Sequence, residues 1–185
     1  MTVQGELCVA DTAAWRAWLE ALEESSDGVW LVLAKKGVTD PTSLTYAEAL
    51  DEALCSGWID GQKRSRDHAT FLQRFTPRRA RSMWSARNTE HIARLEAEGR
   101  MRERGRNEVA KVRADGRWDR AYAGSADAVV PDDLAAALAA DPELGARFEA
   151  LSRAQRFSVL SSLMTAAAPE TRARRLAKAL AGLKG

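Results

Sequence analysis

The run Val-Trp-Leu-Val-Leu-Ala at residues 29–34 narrows the fold more than any other stretch of this chain. It is β-branched and aromatic, too short for a helix, and bounded by Ser25-Ser26-Asp27-Gly28 before it and Lys35-Lys36-Gly37 after it. That combination predicts a buried strand, whose backbone needs neighbouring strands for its hydrogen bonds. Residues 58–76 supply two strands, "WID" and "ATFLQRFT", joined by a basic connection with Asp60-Gly61 reading as a tight turn. Residues 4–9 supply a short edge strand. Strand alternation puts Phe71, Gln73 and Phe75 on one face, and Leu72 and Arg74 on the other.

Two helices belong with this sheet. Asp11 caps one whose Trp15, Trp18, Leu19 and Leu22 share a face. Thr45-Tyr46-Ala47-Glu48 is a capping box, followed by the apolar stripe Tyr46, Ala49, Leu50, Ala53 and Leu54 and a stop at Gly57. From Ser85 onward the pattern is helical, with helices expected at 86–98, 101–115, 131–140, 142–151, 153–166 and 169–182. Gly99 and Gly116 end helices, Pro142 and Pro169 begin them, and Ser152 to Gln155 forms a second capping box. The expected fold class is α+β: a small, mostly antiparallel sheet with packed helices over residues 1–120, a small-residue linker at 121–131, and an all-helical C-terminal subdomain at 132–185.

Composition bounds what such a chain does. With 45% hydrophobic and 29% charged residues it is built for a globular core. Cys8 and Cys55 are its only cysteines and have no motif spacing, so neither a disulfide framework nor a zinc site is expected and a reducing compartment fits best. The first basic residue is Arg16, no apolar run precedes it, and no stretch is long enough to span a bilayer. The expected localisation is cytoplasmic. The net charge of +2 conceals a segregation: residues 1–60 hold three basic and eleven acidic side chains, whereas residues 62–87 hold eight basic and one acidic. The basic set is Lys63, Arg64, Arg66, Arg74, Arg78, Arg79, Arg81 and Arg87, with Asp67 the lone acid. The acidic region is free to neutralise this segment within one molecule or between two, which leaves monomer and homodimer equally open.

Common catalytic motifs are missing: there is no glycine-rich phosphate loop, HExxH, GxSxG or CxxC. Cys55 with His68 or His91 would make a nucleophile and base, but a cysteine ending an amphipathic helix is usually buried packing. Both histidines read as exposed, and with only two histidines and no grouped acids no metal or cofactor is expected. Asp60 reads first as the partner of an arginine, with general-base and plain turn roles as alternatives. The density of Arg78-Arg79-x-Arg81, followed by Ser82 and Trp84, exceeds what solubility asks for and suits phosphate or carboxylate oxygens.

"LCSGWIDG", "RFTPRRARSMWSARN", "GRW" at 116–118 and "PETRARRL" at 169–176, with "VWLVLAKKG" and "LTYAEALDEAL" upstream, together resemble the YdeI/OmpD-associated family, the bacteriocin-protection proteins, over nearly the whole chain. The resemblance implies a small α+β protein with a helical C-terminal part and a link to bacteriocin, antimicrobial-peptide or stress tolerance, and it carries no catalytic residues. Two positions depart from the family pattern: Ser56 where an aromatic is common, and Ala167-Ala168 where Lys-Arg is usual. The leading expectation is a non-enzymatic protein that presents Trp58, Asp60, Arg74, Arg78, Arg79, Ser82, Trp84 and Asn88 to an anionic small molecule or protein partner. A nucleic-acid binder with Phe71 or Trp84 stacking on bases is the alternative, and a small-molecule enzyme using Asp60 or Cys55 is the third reading.

Overall fold

The computed structural model describes residues 5–80, 82–119, 121, 128–166 and 168–184. Arg81, Ala167 and residues 122–127 of the expected linker lie outside the described residues. The chain divides into two bodies: Met1–Ser82 with Glu90–Asp119, and Met83–Thr89 with Arg120–Gly185.

The first body holds β1 (Glu6–Leu7), α1 (Thr12–Leu22), β2 (Val29–Ala34), α2 (Tyr46–Cys55), β3 (Trp58–Ser65), β4 (Thr70–Pro77), most of α3 (Ala86–Ala97) and α4 (Glu103–Ala114). Its sheet runs β1-β2-β4-β3. β1 pairs with β2 in parallel and the other two ladders are antiparallel, giving the mostly antiparallel sheet of an α+β fold. β2 is interior in the sheet order, which is why its residues can all be apolar: Leu31, Val32 and Leu33 are almost fully buried.

Asp11 caps α1 by accepting from the Ala14 N–H at 2.9 Å, and Thr45 and Glu48 close the capping box of α2. Trp15 and Leu19 are fully buried as expected, whereas Leu22 hangs past the edge of the core at 40% exposure. The Trp15 indole stacks on Trp18 with ring centroids 5.2 Å apart, lies 5.7 Å from Phe75, and donates to the Ala49 carbonyl at 3.1 Å. Trp18 meets Trp58 edge-on at 5.8 Å. This aromatic cluster joins α1, α2 and one sheet face, and each such pair adds about 0.5–1.5 kcal/mol beyond its buried area.

Asp60-Gly61 is not the turn. β3 runs through both residues to Ser65, with a register shift between Asp60 and Lys63. The reversal falls at residues 66–69, where Asp67 builds it: its Oδ1 accepts from the Ala69 and Thr70 N–H groups and its Oδ2 from the Thr70 hydroxyl. These hydrogen bonds hold the Asp67 carboxyl down at about 2, with the Thr70 backbone contributing most. Glycine relaxes a strand into a bulge as readily as it makes a turn, and here the local Asx geometry decided the position.

The second body is α5 (Asp132–Ala140), α6 (Pro142–Ala150), α7 (Arg153–Met164) and α8 (Pro169–Lys184), with Met83–Thr89. Every helix from α3 to α8 begins and ends within two residues of expectation. Leu134, Leu144, Phe148, Leu160, Leu163 and Leu183 form the core, with Leu176 and Leu180 packed against it. Arg172 bonds both oxygens of Asp133 at 2.7 and 2.8 Å, tying the start of α8 to the start of α5.

Candidate anion-binding face

Four acidic residues of the first 60 positions, Asp51, Glu52, Glu23 and Glu24, meet cations that lie outside the basic segment. Asp51 on α2 takes both contacts of the Arg94 Nη2 at 2.7 and 2.8 Å. Glu52 beside it, 1% exposed, is reached by Arg16, Arg100 and Arg102 at 2.8–3.0 Å. Burial alone would push the Glu52 carboxyl up, yet the guanidinium groups of Arg16, Arg102 and Arg100 outweigh it and hold it at about 2. Glu24 meets Arg104 at 3.4 Å, and Glu23 lies 3.9 Å from Arg102. Among the described residues one ion pair joins the two segments of opposite sign, Glu6 to Arg66 at 3.2 Å.

The basic hairpin therefore keeps cations with no acidic partner among the described residues: Lys63, Arg64, Arg74 and Arg79. Register places them. Arg74 is the cross-strand neighbour of Trp30, so the two side chains share a face. Arg64, exposed, lies with its guanidinium carbon 4.0 Å from the centre of the same half-buried indole. Gly28 makes room beside them: a Cβ there would sit 2.8 Å from Arg74 Nη2 and 2.7 Å from the Phe75 carbonyl, at a backbone φ of +131°. The result is one aromatic ring with two uncompensated guanidinium groups on one sheet face. Lys63 covers Phe71 at 4.2 Å on the other face.

Of the expected site residues, Arg74 lies on this face. Trp58 is fully buried against Trp18, and Trp84 is 1% exposed and belongs to the second body with Asn88. Arg78 is 8% exposed. None of these three side chains has the exposed surface that stacking or fork-like recognition of a free ligand requires. Arg79 is exposed, and its N–H donates to the Ser82 hydroxyl at 3.2 Å, closing the turn after β4. Asp60 pairs in register with Phe75, opposite in facing to Arg74, and it accepts from the Tyr46 hydroxyl at 2.8 Å. The expected Asp60–arginine ion pair is absent among the described residues, because strand alternation puts this carboxylate on the face that meets Tyr46 of α2 instead of on the basic face. Phe71 is 9% exposed and offers no stacking surface of its own.

The nucleophile reading fares no better. Cys55 is fully buried, and burial together with the Glu52 charge pushes its thiol up to about 11. His91, expected to be exposed, is half-buried 3.3 Å from Asp51. His68 is exposed, and no cluster of metal-ligating side chains occurs among the described residues. Trp30 and the Asp51–Glu52 arginine network were missed by sequence reasoning. Trp30 was absorbed into the strand, and its pairing with Arg74 on another strand is set by the β2–β4 register, which the sequence does not display.

Residues 7–108 match the family model of a domain of unknown function, DUF8412, and residues 127–185 match the family described as Bacteriocin-protection, YdeI or OmpD-Associated. No curated protein and no solved structure matches. Of the motifs that carried the resemblance, "PETRARRL" falls inside the second match, whereas the Trp-Ile-Asp-Gly and arginine-rich motifs fall inside the first. The family resemblance is thus carried by the C-terminal part and not by nearly the whole length. The chain belongs to the DUF8412 domain family, and its residues 127–185 match the family described as Bacteriocin-protection, YdeI or OmpD-Associated.

Proposed function

We propose that this protein is a non-enzymatic binder of anionic partners that works through the β2–β4–β3 face around Arg64, Trp30 and Arg74, with Arg79 at the end of β4. One observation carries the reading: Asp51, Glu52 and Glu24 pair with Arg94, Arg100, Arg102 and Arg104, and among the described residues Glu6 alone of the acidic region forms an ion pair with the basic hairpin, at Arg66. Arginines left uncompensated beside an indole keep their forks for phosphate or carboxylate oxygens. A basic face repels cationic peptides, so a role in bacteriocin or stress tolerance, as the family description suggests, would run through an anionic partner rather than through capture of such a peptide. No described helix is long and apolar enough to cross a membrane. Two free cysteines, one of them exposed, suit a reducing compartment, and the cytoplasm is the place this reading assigns.

The test is retention on immobilised heparin. Arg64→Ala/Arg74→Ala should elute at clearly lower salt than the parent while its stability shifts by no more than about 0.5 kcal/mol per substitution, as surface changes do. Unchanged elution removes these residues from the site, and a large loss of stability makes them structural.

Single-stranded nucleic acid is the second reading, its phosphates meeting Arg64 and Arg74 beside the half-buried Trp30 ring that Arg64 covers.

A further inference from the structure

Helices α7 and α8 enclose an open groove of about 420 Å³ in the second body, unconnected with the basic hairpin. Its volume falls within the roughly 300–1,000 Å³ typical of small-ligand sites. The groove is graded along its length. Arg175 Nη1 donates to the Ser162 carbonyl at 2.7 Å and to the Thr165 hydroxyl at 3.1 Å, which fixes the cationic end where α7 finishes and α8 begins. Lys178, one turn further along α8, has no acidic partner among the described residues. Beyond it Val159 and Ala179, then Leu151 and Leu183 at the far end, form an apolar strip, with Ser158 and Gln155 as its polar edge. Among the described residues no acidic side chain lines the groove. From Arg175 to Leu183 the distance along α8 is about 12 Å at 1.5 Å per residue.

The far end is also empty where a side chain would fit. A Cβ added at Gly182 meets nothing within 4 Å, and nothing in the body's packing requires glycine at this helical position. Glycine inside a helix is disfavoured relative to alanine, so the open wall is kept against local propensity.

We infer that this groove binds a single-chain anionic amphiphile, its carboxylate or phosphate head at Arg175 and Lys178 and its acyl chain along Val159, Ala179 and Leu183. Charge selects the head and the apolar gradient sets its direction. The head and the tail are each too weak alone: a partly exposed ion pair contributes little, and the apolar strip is short.

Calorimetric titration of the full chain with octanoate, decanoate and dodecanoate, all below their micellar concentrations, tests the inference. The expected result is saturable 1:1 binding that tightens about two- to fourfold per added methylene, as apolar burial predicts. Gly182→Phe should fill the far end and abolish binding with the helical circular dichroism unchanged. Lys178→Glu should weaken it about tenfold, and decyltrimethylammonium should not bind. Three results overturn the inference: no saturable binding of any carboxylate, equal binding by both variants, or equal binding of the cationic amphiphile. Binding to vesicles of anionic phospholipid without binding of free decanoate also overturns it, since that outcome means a surface and not a single-chain site.

Discussion

The Arg102 guanidinium closes three hydrogen bonds on the last turn of α2: Nη1 to Glu52 Oε2 at 2.9 Å, Nη2 to the Glu52 carbonyl at 2.6 Å, and Nε to the Ser56 hydroxyl at 2.8 Å. It is at once the counter-ion of a buried carboxylate and the cap of a helix whose final carbonyls lack partners. Arg16 from α1 and Arg100 complete the cage, so one glutamate holds α1, α2 and the segment leading into α4.

Glu52→Gln should therefore be costly. It removes the charge that three guanidinium groups surround, and breaking a buried pair from one side costs about 3–5 kcal/mol. Urea unfolding should show that loss as a lower midpoint with an unchanged slope. A change below 1 kcal/mol would mean the arginines turn to solvent without penalty.

Acid should produce the same loss in the parent protein. The Glu52 carboxyl is held at about 2 against an ordinary value of 4.5. A group depressed in the folded state stabilises fully above its unfolded value and loses that contribution as pH falls through the folded one. Stability should drop by about 3 kcal/mol between pH 4.5 and 2 from this residue. Glu52→Gln should flatten that part of the profile, and parallel pH profiles for the two proteins would contradict the assignment.

Gly105 permits the contact of α4 with the end of α2. A Cβ there would stand 2.2 Å from the Cys55 carbonyl oxygen, a backbone atom that cannot swing aside. Gly105→Ala should destabilise by at least about 2 kcal/mol through overpacking, measured by thermal unfolding. Gly182→Ala, in open space, is its control and should be neutral or stabilising.

The two thiols should separate cleanly. Cys8 is exposed and Cys55 is buried with its thiol pushed up to about 11, so a disulfide reagent at pH 8 should titrate one thiol per native chain. The second should appear only on unfolding. Rapid modification of both would rule out the packed role of Cys55.

Elements governed by local chemistry were legible in the sequence. The β2 run, both capping boxes, the prolines at helix starts and the glycine stops all act within four residues of themselves, and all stand where expected. What was illegible depends on distant partners. Glu52 lies off the apolar stripe of α2 and reads as solvent-facing; only Arg16, Arg100 and Arg102, 36–50 residues away, bury it. That same network decides which cations remain uncompensated, so the charge map located the basic segment without showing that Arg64 and Arg74 beside Trp30 are its open part. Trp58 and Trp84 were read as a binding surface for a similar reason: an aromatic next to arginines looks alike in sequence whether it faces solvent or, as with Trp58, the ring of Trp18.

The measurement that tests the central claim most directly is a fluorescence titration of the full chain with a single-stranded oligonucleotide at two salt concentrations. If Arg64, Arg74 and Arg79 each meet a phosphate, raising salt from about 50 to 200 mM should weaken binding about twentyfold, given a slope of roughly −0.7 per contact. In Arg64→Ala/Arg74→Ala the same change should weaken the residual binding only about threefold. Tight binding that ignores salt, or a double variant that binds like the parent, would contradict the account.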